Sequence, residues 1–296
     1  MSRMRDNVNS GPRGFRDLMK EGFISIPGVF DGMSAILAER AGFRAGYLSG
    51  SAVAAVMGLP DLSVTTLTEV ALEVQKITSI TPIPIIVDAD TGFGETMNVS
   101  RTVRMLERSG AAGMHIEDQV LPKRCGHLNG KKIVEPDEMI KKITGAIQTR
   151  KDPDFVIIAR TDARSVNGID DAIERARSYV EAGADVIFTE ALESPDEFRK
   201  FAKSVKAPLL ANMTEFGKSP LMSSADLEKS GYSMVIFPLT AFRATLRTME
   251  SVYGKLFREG TQTGFIDMLM TRSDFYRNIG YEQYEKDDSE ILDRIK

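Results

Sequence analysis

The sequence is poor in the side chains that usually announce chemistry: its 296 residues hold one cysteine, two histidines and no tryptophan. One cysteine excludes an intrachain disulfide framework and leaves a free thiol, which suits a reducing compartment. Two histidines and one cysteine also leave no paired soft-ligand spacing of the kind that zinc sites show. No run of about 18 apolar residues occurs, so no transmembrane helix is expected. The start, Met1 to Lys20, carries Arg3, Arg5, Arg13, Arg16 and Lys20 without the apolar stretch of a signal peptide. The expected location is the cytoplasm. A formal charge of -4, with neither a basic stripe nor a separate acidic tail, argues against nucleic acid or a membrane surface as partner. Gly92-Phe93-Gly94 lacks the spacing and the Lys-Ser/Thr of nucleotide-phosphate loops, which argues against ATP or NAD. Small-molecule chemistry is what remains, in a chain whose 42% apolar and 27% charged residues are those of a globular protein.

What is present is regular. After a polar leader, short apolar runs alternate with longer amphipathic ones, the pattern of repeated βα units. Strands are expected at Ile24 to Gly28, Ala45 to Ser49, Ile83 to Asp88, Gly113 to Glu117, Phe155 to Arg160, Asp185 to Glu190, Pro208 to Asn212 and Met234 to Pro238. Helical segments lie between them, such as Thr66 to Ile80, Pro136 to Thr149 and Pro195 to Ser204. Glycines 42, 110, 183 and 231 recur where a helix should stop before the second, fourth, sixth and eighth strands. This predicts a (β/α)8 barrel, one domain over 1–296, with 258–296 as a C-terminal helical extension and tail. The segment after Gly280 is charged and expected to be loosely held.

Most of these strands end in a polar residue: Ser49, Asp88, Glu117, Arg160, Glu190 and Asn212. In a barrel those ends line one mouth, where catalytic groups gather. Alternation puts Asp88 with Asp90, His115 with Glu117, Arg160 with Asp162 and Asn212 with Thr214 on like faces. Asp88, Asp90 and nearby Glu117 form a hard, oxygen-only set that suits Mg²⁺ or Mn²⁺ rather than zinc; the competing role for the two aspartates is capping the Asn98 helix. Arg160, Arg243 and Arg272, with Arg124 and His127, predict a polyanionic substrate. A long loop, Gln119 to Val134, carries Lys123-Arg124-Cys125-Gly126-His127 and is expected to act as a lid. Flanking cations should stabilise a Cys125 thiolate. A nucleophile or a general acid is open to this thiol; without an oxyanion-hole pattern or Cys-His-Asn spacing, the acid is preferred.

These residues resemble a known group. Lys123-Arg124-Cys125-Gly126-His127, with Asp88-Ala89-Asp90-Thr91-Gly92-Phe93-Gly94, Tyr47-Leu48-Ser49-Gly50 and Gly58-Leu59-Pro60-Asp61 upstream, resembles the isocitrate lyase and phosphoenolpyruvate mutase superfamily. The likeness runs from about Phe15 to Arg272 and is greatest to the 2-methylisocitrate lyase family. It implies a homotetramer that swaps a C-terminal helix between subunits, a Mg²⁺ or Mn²⁺ cofactor, and cleavage of a hydroxy-tricarboxylate, 2-methylisocitrate giving pyruvate and succinate in propionate catabolism. Carried over by position, Ser49, Gly50 and Ser51 would contact the substrate, Asp88 and Asp90 would hold the metal, and Asp61 and Glu117 would stand in its water shell. Lys123, Arg124, Arg160, Glu190, Asn212, Thr214, Arg243 and Arg272 would bind the substrate's carboxylates and hydroxyl. Cys125 would be the acid, with Gly126 and His127 beside it in the lid, and Tyr47 or Glu117 the base. Phe188, Ile236 and Pro238 would leave room for the extra methyl. Ser51 stands where the family pattern has glycine. Isocitrate, dimethylmalate, oxaloacetate and phosphonate chemistry are the alternatives within the superfamily, and a non-catalytic dicarboxylate-binding barrel is the alternative outside enzymes.

Overall fold

The computed structural model describes residues 10–295; the start of the leader, with Arg3 and Arg5, and Lys296 lie outside the described residues. Eight strands form one closed parallel sheet: β1 (Ile24–Val29), β2 (Gly46–Leu48), β3 (Ile85–Asp88), β4 (Gly113–Glu117), β5 (Val156–Thr161), β6 (Val186–Thr189), β7 (Leu209–Asn212) and β8 (Met234–Phe237). Every expected strand is present within two residues of its predicted ends. β8 pairs with β1, Ile24 opposite Met234 and Ile26 opposite Ile236, which closes the (β/α)8 barrel.

The period-2 pattern divides the apolar side chains into two cores. Outward residues such as Ile85, Val87, Met114, Ile116, Ile157 and Ile187 pack with the helices. Inward residues Ile26, Tyr47, Ile86, Val156, Ile158, Val186, Phe188, Leu210, Met234 and Ile236 fill the barrel. The same alternation carries His115, Glu117 and Arg160 to the inside at the C-terminal ends of their strands. The recurring glycines do what their positions suggested: Gly42, Gly110, Gly183 and Gly231 have φ of 98°, 85°, 102° and 96°, a region L side chains avoid, and each turns a helix back toward a strand.

Two terminal segments differ from expectation. The leader contains a helix, Gly11–Glu21, whose Phe15 and Leu18 join the inner core against Ile24 and Ile26 at the strand starts. Arg16 ties it down through Asp185 at 2.7 Å and the carbonyl of Asp154 at 3.1 Å. Two glycines, a proline and five charged residues hid this plug from the periodicity reading, because only two large side chains carry its burial. The segment after Gly280 is a helix, Tyr281–Ile295, with its described side chains almost all exposed; Gly280, at φ 71°, ends the preceding helix Arg272–Ile279.

Packing divides the chain into a barrel unit, which ends at Thr240, and a helical unit from Ala241. The helical unit comprises most of the helix Thr240–Glu259, the 3-10 turn Thr263–Met268, and the helices Arg272–Ile279 and Tyr281–Ile295. Among the described residues no helix is long and apolar enough to cross a membrane. Replacing the plug side chain, Phe15→Ala, should destabilise the barrel by about 3–5 kcal/mol in urea unfolding followed by circular dichroism; a loss below about 1 kcal/mol would remove Phe15 from the core.

Candidate active site

The carboxylates at the mouth are placed by the ends of β3 and β4. Asp88, the last residue of β3, accepts from the backbone N–H groups of Gly50 and Asp90, both at 3.0 Å. Gly50 opens the helix Gly50–Val56, so Asp88 sits at a positive helix end and does not cap the downstream helix Thr96–Arg108, whose N-cap is Glu95. Asp90 follows with φ 47°, a left-handed conformation that costs a non-glycine residue about 1–3 kcal/mol. Its carbonyl accepts the Glu117 N–H at 2.9 Å, so the strained turn locks β3 to the end of β4.

Arg160 of β5 is surrounded by acids. Its Nη1 lies 3.0 Å from Glu117, Nη2 3.2 Å from Glu190, and Nε 3.0 Å from Asp162. The guanidinium also stacks over Phe188, 5.1 Å from the ring centre. Glu190 accepts from His127 Nε2 at 2.8 Å and from the amide of Asn212 at 3.3 Å. His127 Nδ1 accepts the Lys218 N–H at 2.9 Å, which fixes the tautomer with its proton on Nε2, toward Glu190. The loop presses down on this set at Gly126, where a Cβ would lie 2.3 Å from Arg160 Nη2 and 2.4 Å from Glu190 Cγ. The expected lid is therefore closed on the mouth.

The sequence neighbours of Cys125 are not its neighbours in space. Lys123 is buried and turned away, 2.9 Å from Asp90 and in contact with Asp61. The exposed Arg124 side chain donates to the Asn129 carbonyl, while its backbone is clasped by Gln119 at 2.9 and 3.0 Å. Burial pushes the Cys125 thiol up; the His127 backbone N–H offsets part of this, but Glu190 and Asp61 add negative charge. The expectation of an acidified thiol is overturned: the group is held as a thiol at neutral pH.

Burial shapes the acids in opposite ways. It resists ionisation of Asp88, but His115, Lys123 and Arg160 outweigh it and hold this carboxyl low. Burial and the neighbouring Asp88 charge raise Asp90 to about 6. Glu117 is raised well above the usual range by burial, against the pull of Arg160. Glu117 Oε2 and Asp90 Oδ1 are paired with Arg160 and Lys123 at 3.0 and 2.9 Å, whereas buried Glu117 Oε1 has no partner among the described residues. A buried carboxyl oxygen without a partner, beside a low carboxylate, is a donor of the kind a hard cation takes. Among the described residues no three His, Cys, Asp or Glu side chains gather closely enough to hold an ion by themselves. Asp88 and Asp90 present the oxygen-only donors that a Mg²⁺-like ion takes, with waters to complete its shell.

The other predicted residues fall as follows. Ser49, buried, is the N-cap of Gly50–Val56 without a side-chain hydrogen bond, and Ser51 is half-buried in that helix. Tyr47, Phe188 and Ile236 line the interior, and Thr214 and Pro238 are buried just beyond β7 and β8. Arg243 and Arg272 belong to the helical unit. Four residues were not named as site residues: His115, Lys131, Asp118 and Asp162. His115 is fully buried, bonds the Tyr47 hydroxyl at 2.9 Å, and stands 3.4 Å from Asp88. Burial drops it to about 4, so it is neutral. Its period-2 partnership with Glu117 was the available signal.

Comparisons with known proteins agree with this arrangement. The family model described as phosphoenolpyruvate phosphomutase matches residues 15–257. The chain belongs to this family. A 2-methylisocitrate lyase of Aeropyrum pernix is 54% identical, covering 92% of this chain and 88% of that protein. One of Escherichia coli K12 is 48% identical, with 95% and 96% covered. Among solved structures, a 2,3-dimethylmalate lyase of the PEP mutase/isocitrate lyase superfamily superposes with a TM-score of 0.89 at 38% identity, covering 95% of each chain. Like that family member, this chain is a (β/α)8 barrel. Alkylation of Cys125 by iodoacetamide should be slower at pH 7 than that of a free cysteine and should still be climbing at pH 9, because burial raises the thiol. A rate that levels off below pH 8 would return the thiol to the acidified state.

Proposed function

We propose that this carbon–carbon lyase cleaves 2-methylisocitrate to pyruvate and succinate, with Mg²⁺ or Mn²⁺ at Asp88 and Asp90 and Cys125 as general acid. The observation that carries the reading is the loop bearing Cys125 seated on Arg160 and Glu190, with no space at Gly126 for a side chain; burial there raises the thiol. The curated relatives, 45–54% identical and named as 2-methylisocitrate lyases, support the substrate. The charge balance supports the metal: with Glu117 raised by burial, Asp61, Asp88, Asp90, Asp162 and Glu190 still outnumber Lys123, Lys131 and Arg160 in their ion pairs. A mouth with that excess repels a carboxylate substrate. A bound divalent ion supplies the missing charge and polarises the substrate's hydroxyl and carboxylate.

The residues then divide the work. Tyr47, passing its own proton to His115 Nε2, or Glu117 in its carboxylate form takes the hydroxyl proton and later returns it to solvent; the C–O bond becomes the carbonyl of pyruvate as the Cα–Cβ bond breaks. The electron pair stays on the succinate carbon, where the proton from Cys125 S–H meets it. The resulting thiolate regains a proton from solvent. Burial keeps Tyr47 protonated too, raised well above its usual range, and its bond to His115 Nε2 gives the phenol proton an acceptor. His127, clamped between Lys218 N–H and Glu190, fixes the lid beside the thiol. Phe188, Ile236 and Pro238 bound the space for the methyl, worth about 1–3 kcal/mol, so isocitrate is the competing substrate.

The helical unit exposes Tyr253, Phe257, Ile266, Met270, Tyr284 and Ile291, more apolar surface than a solvated helix cluster keeps. This supports a homotetramer in which helices are exchanged, and a free thiol that must stay reduced suits the cytoplasm. A single peak at the monomer mass in light scattering at micromolar protein would sink the oligomer. For the reaction, purified protein with Mg²⁺ is offered 2-methylisocitrate, isocitrate, 2,3-dimethylmalate and phosphonopyruvate. The expected result is pyruvate and succinate from the first at the highest kcat/KM; cleavage of none of the hydroxy-acids would refute the lyase. Cys125→Ser should lower kcat by at least about 10²-fold with the fold intact, and near wild-type turnover would remove the thiol from the chemistry.

A further inference from the structure

Lys131 has no part in the chemistry above, yet its ammonium is among the most buried charges in the chain. Its side chain is 1% exposed, against an Asp162 that is 0% exposed, at 2.6 Å. The second partner of Lys131 Nζ is the carbonyl of Gly126, in a short contact. Burying an ammonium costs several kcal/mol unless its partners repay it. Asp162 does not need this partner: Arg160 Nε and Nη2 already donate to its two oxygens at 3.0 and 3.2 Å, and its backbone N–H donates to Asp118 at 2.8 Å. What the lysine adds is a tie between the loop and the barrel.

The loop's own bonds put that tie where it matters. Its base is closed by the antiparallel bridge between Gln119 and Ile133 and by Val120 N–H to the Lys132 carbonyl at 2.9 Å. On one side of Cys125 the Gln119 side chain clasps the backbone of Arg124; on the other, Lys131 holds the carbonyl of Gly126. Gly126 is the point where the loop touches Arg160 and Glu190 with no room for a side chain. A donor that reaches both the Gly126 carbonyl and Asp162 therefore sets the height of Cys125 above the mouth.

We propose that Lys131 is the positioning residue that latches the Cys125–His127 segment onto the barrel mouth, acting through the Gly126 carbonyl and Asp162. Its effect on turnover rests on the reading of Cys125 as the acid; the latch itself does not. The test uses the whole chain, in which Cys125 is the one thiol, so iodoacetamide reports the loop directly. Lys131→Met keeps the volume and removes the charge-assisted bonds, so alkylation should speed up by at least about tenfold at pH 8, with the thermal midpoint nearly unchanged and kcat falling more than KM changes. Gly126→Ala, whose Cβ cannot fit the closed position, is the open-loop reference and should alkylate at least as fast. Wild-type alkylation in folded Lys131→Met overturns the latch. If that variant does not fold, Lys131→Gln is read in its place, and failure of both to fold makes Lys131 a residue of general stability and overturns the proposal. Faster alkylation with undiminished turnover upholds the latch and refutes Cys125 as the acid.

Discussion

The guanidinium of Arg160 is the point through which the mouth of the barrel is held together. It joins acids from the ends of β4 and β6 and from just beyond its own strand, Glu117, Glu190 and Asp162, in a buried place. Such a cluster is a poor source of net stability, because desolvation cancels much of the attraction. Its value is positional. Each carboxylate has one low-energy place beside the guanidinium, and the lid, through Gly126, His127 and Lys131, is built against those same groups. Geometry at the mouth is thus determined once, by one cation, and inherited by everything above it.

The environment of Cys125 shows how far sequence order can mislead about electrostatics. Lysine, arginine and histidine flank the thiol in the chain, and a local reading gives a reactive thiolate. In the fold the lysine pairs with Asp90 and Asp61, the arginine turns outward, and the histidine donates its Nε2–H to Glu190. Backbone direction in a tight loop sends successive side chains to different sides, so a charge one residue away in sequence can be farther off than an acid from another strand. A thiol that remains protonated is the form an acid requires.

The barrel was legible because two independent periodicities agree: alternation within strands and the glycine that ends every second helix. Asp88, Glu117, Arg160, Glu190 and Asn212 were legible as strand ends. The Gly11–Glu21 plug was not, since a helix that buries two large side chains leaves no stripe to detect. His115, Lys131 and Asp162 were not legible for another reason: each is buried by partners distant in sequence, and its own neighbours in the chain carry no mark of them. Asp162 pairs with a lysine 31 residues away, and His115 with a tyrosine 68 away.

Gly126 has a consequence for how such an enzyme can change. With Arg160 and Glu190 directly beneath it, the position accepts no side chain without lifting the loop. Variation there is blocked in every direction at once, whatever the substrate. New preferences among related acids must therefore enter from the floor and walls of the cavity, at positions such as 188, 236 and 238, while the roof stays the same. The lid is the part of this protein that history can least afford to edit.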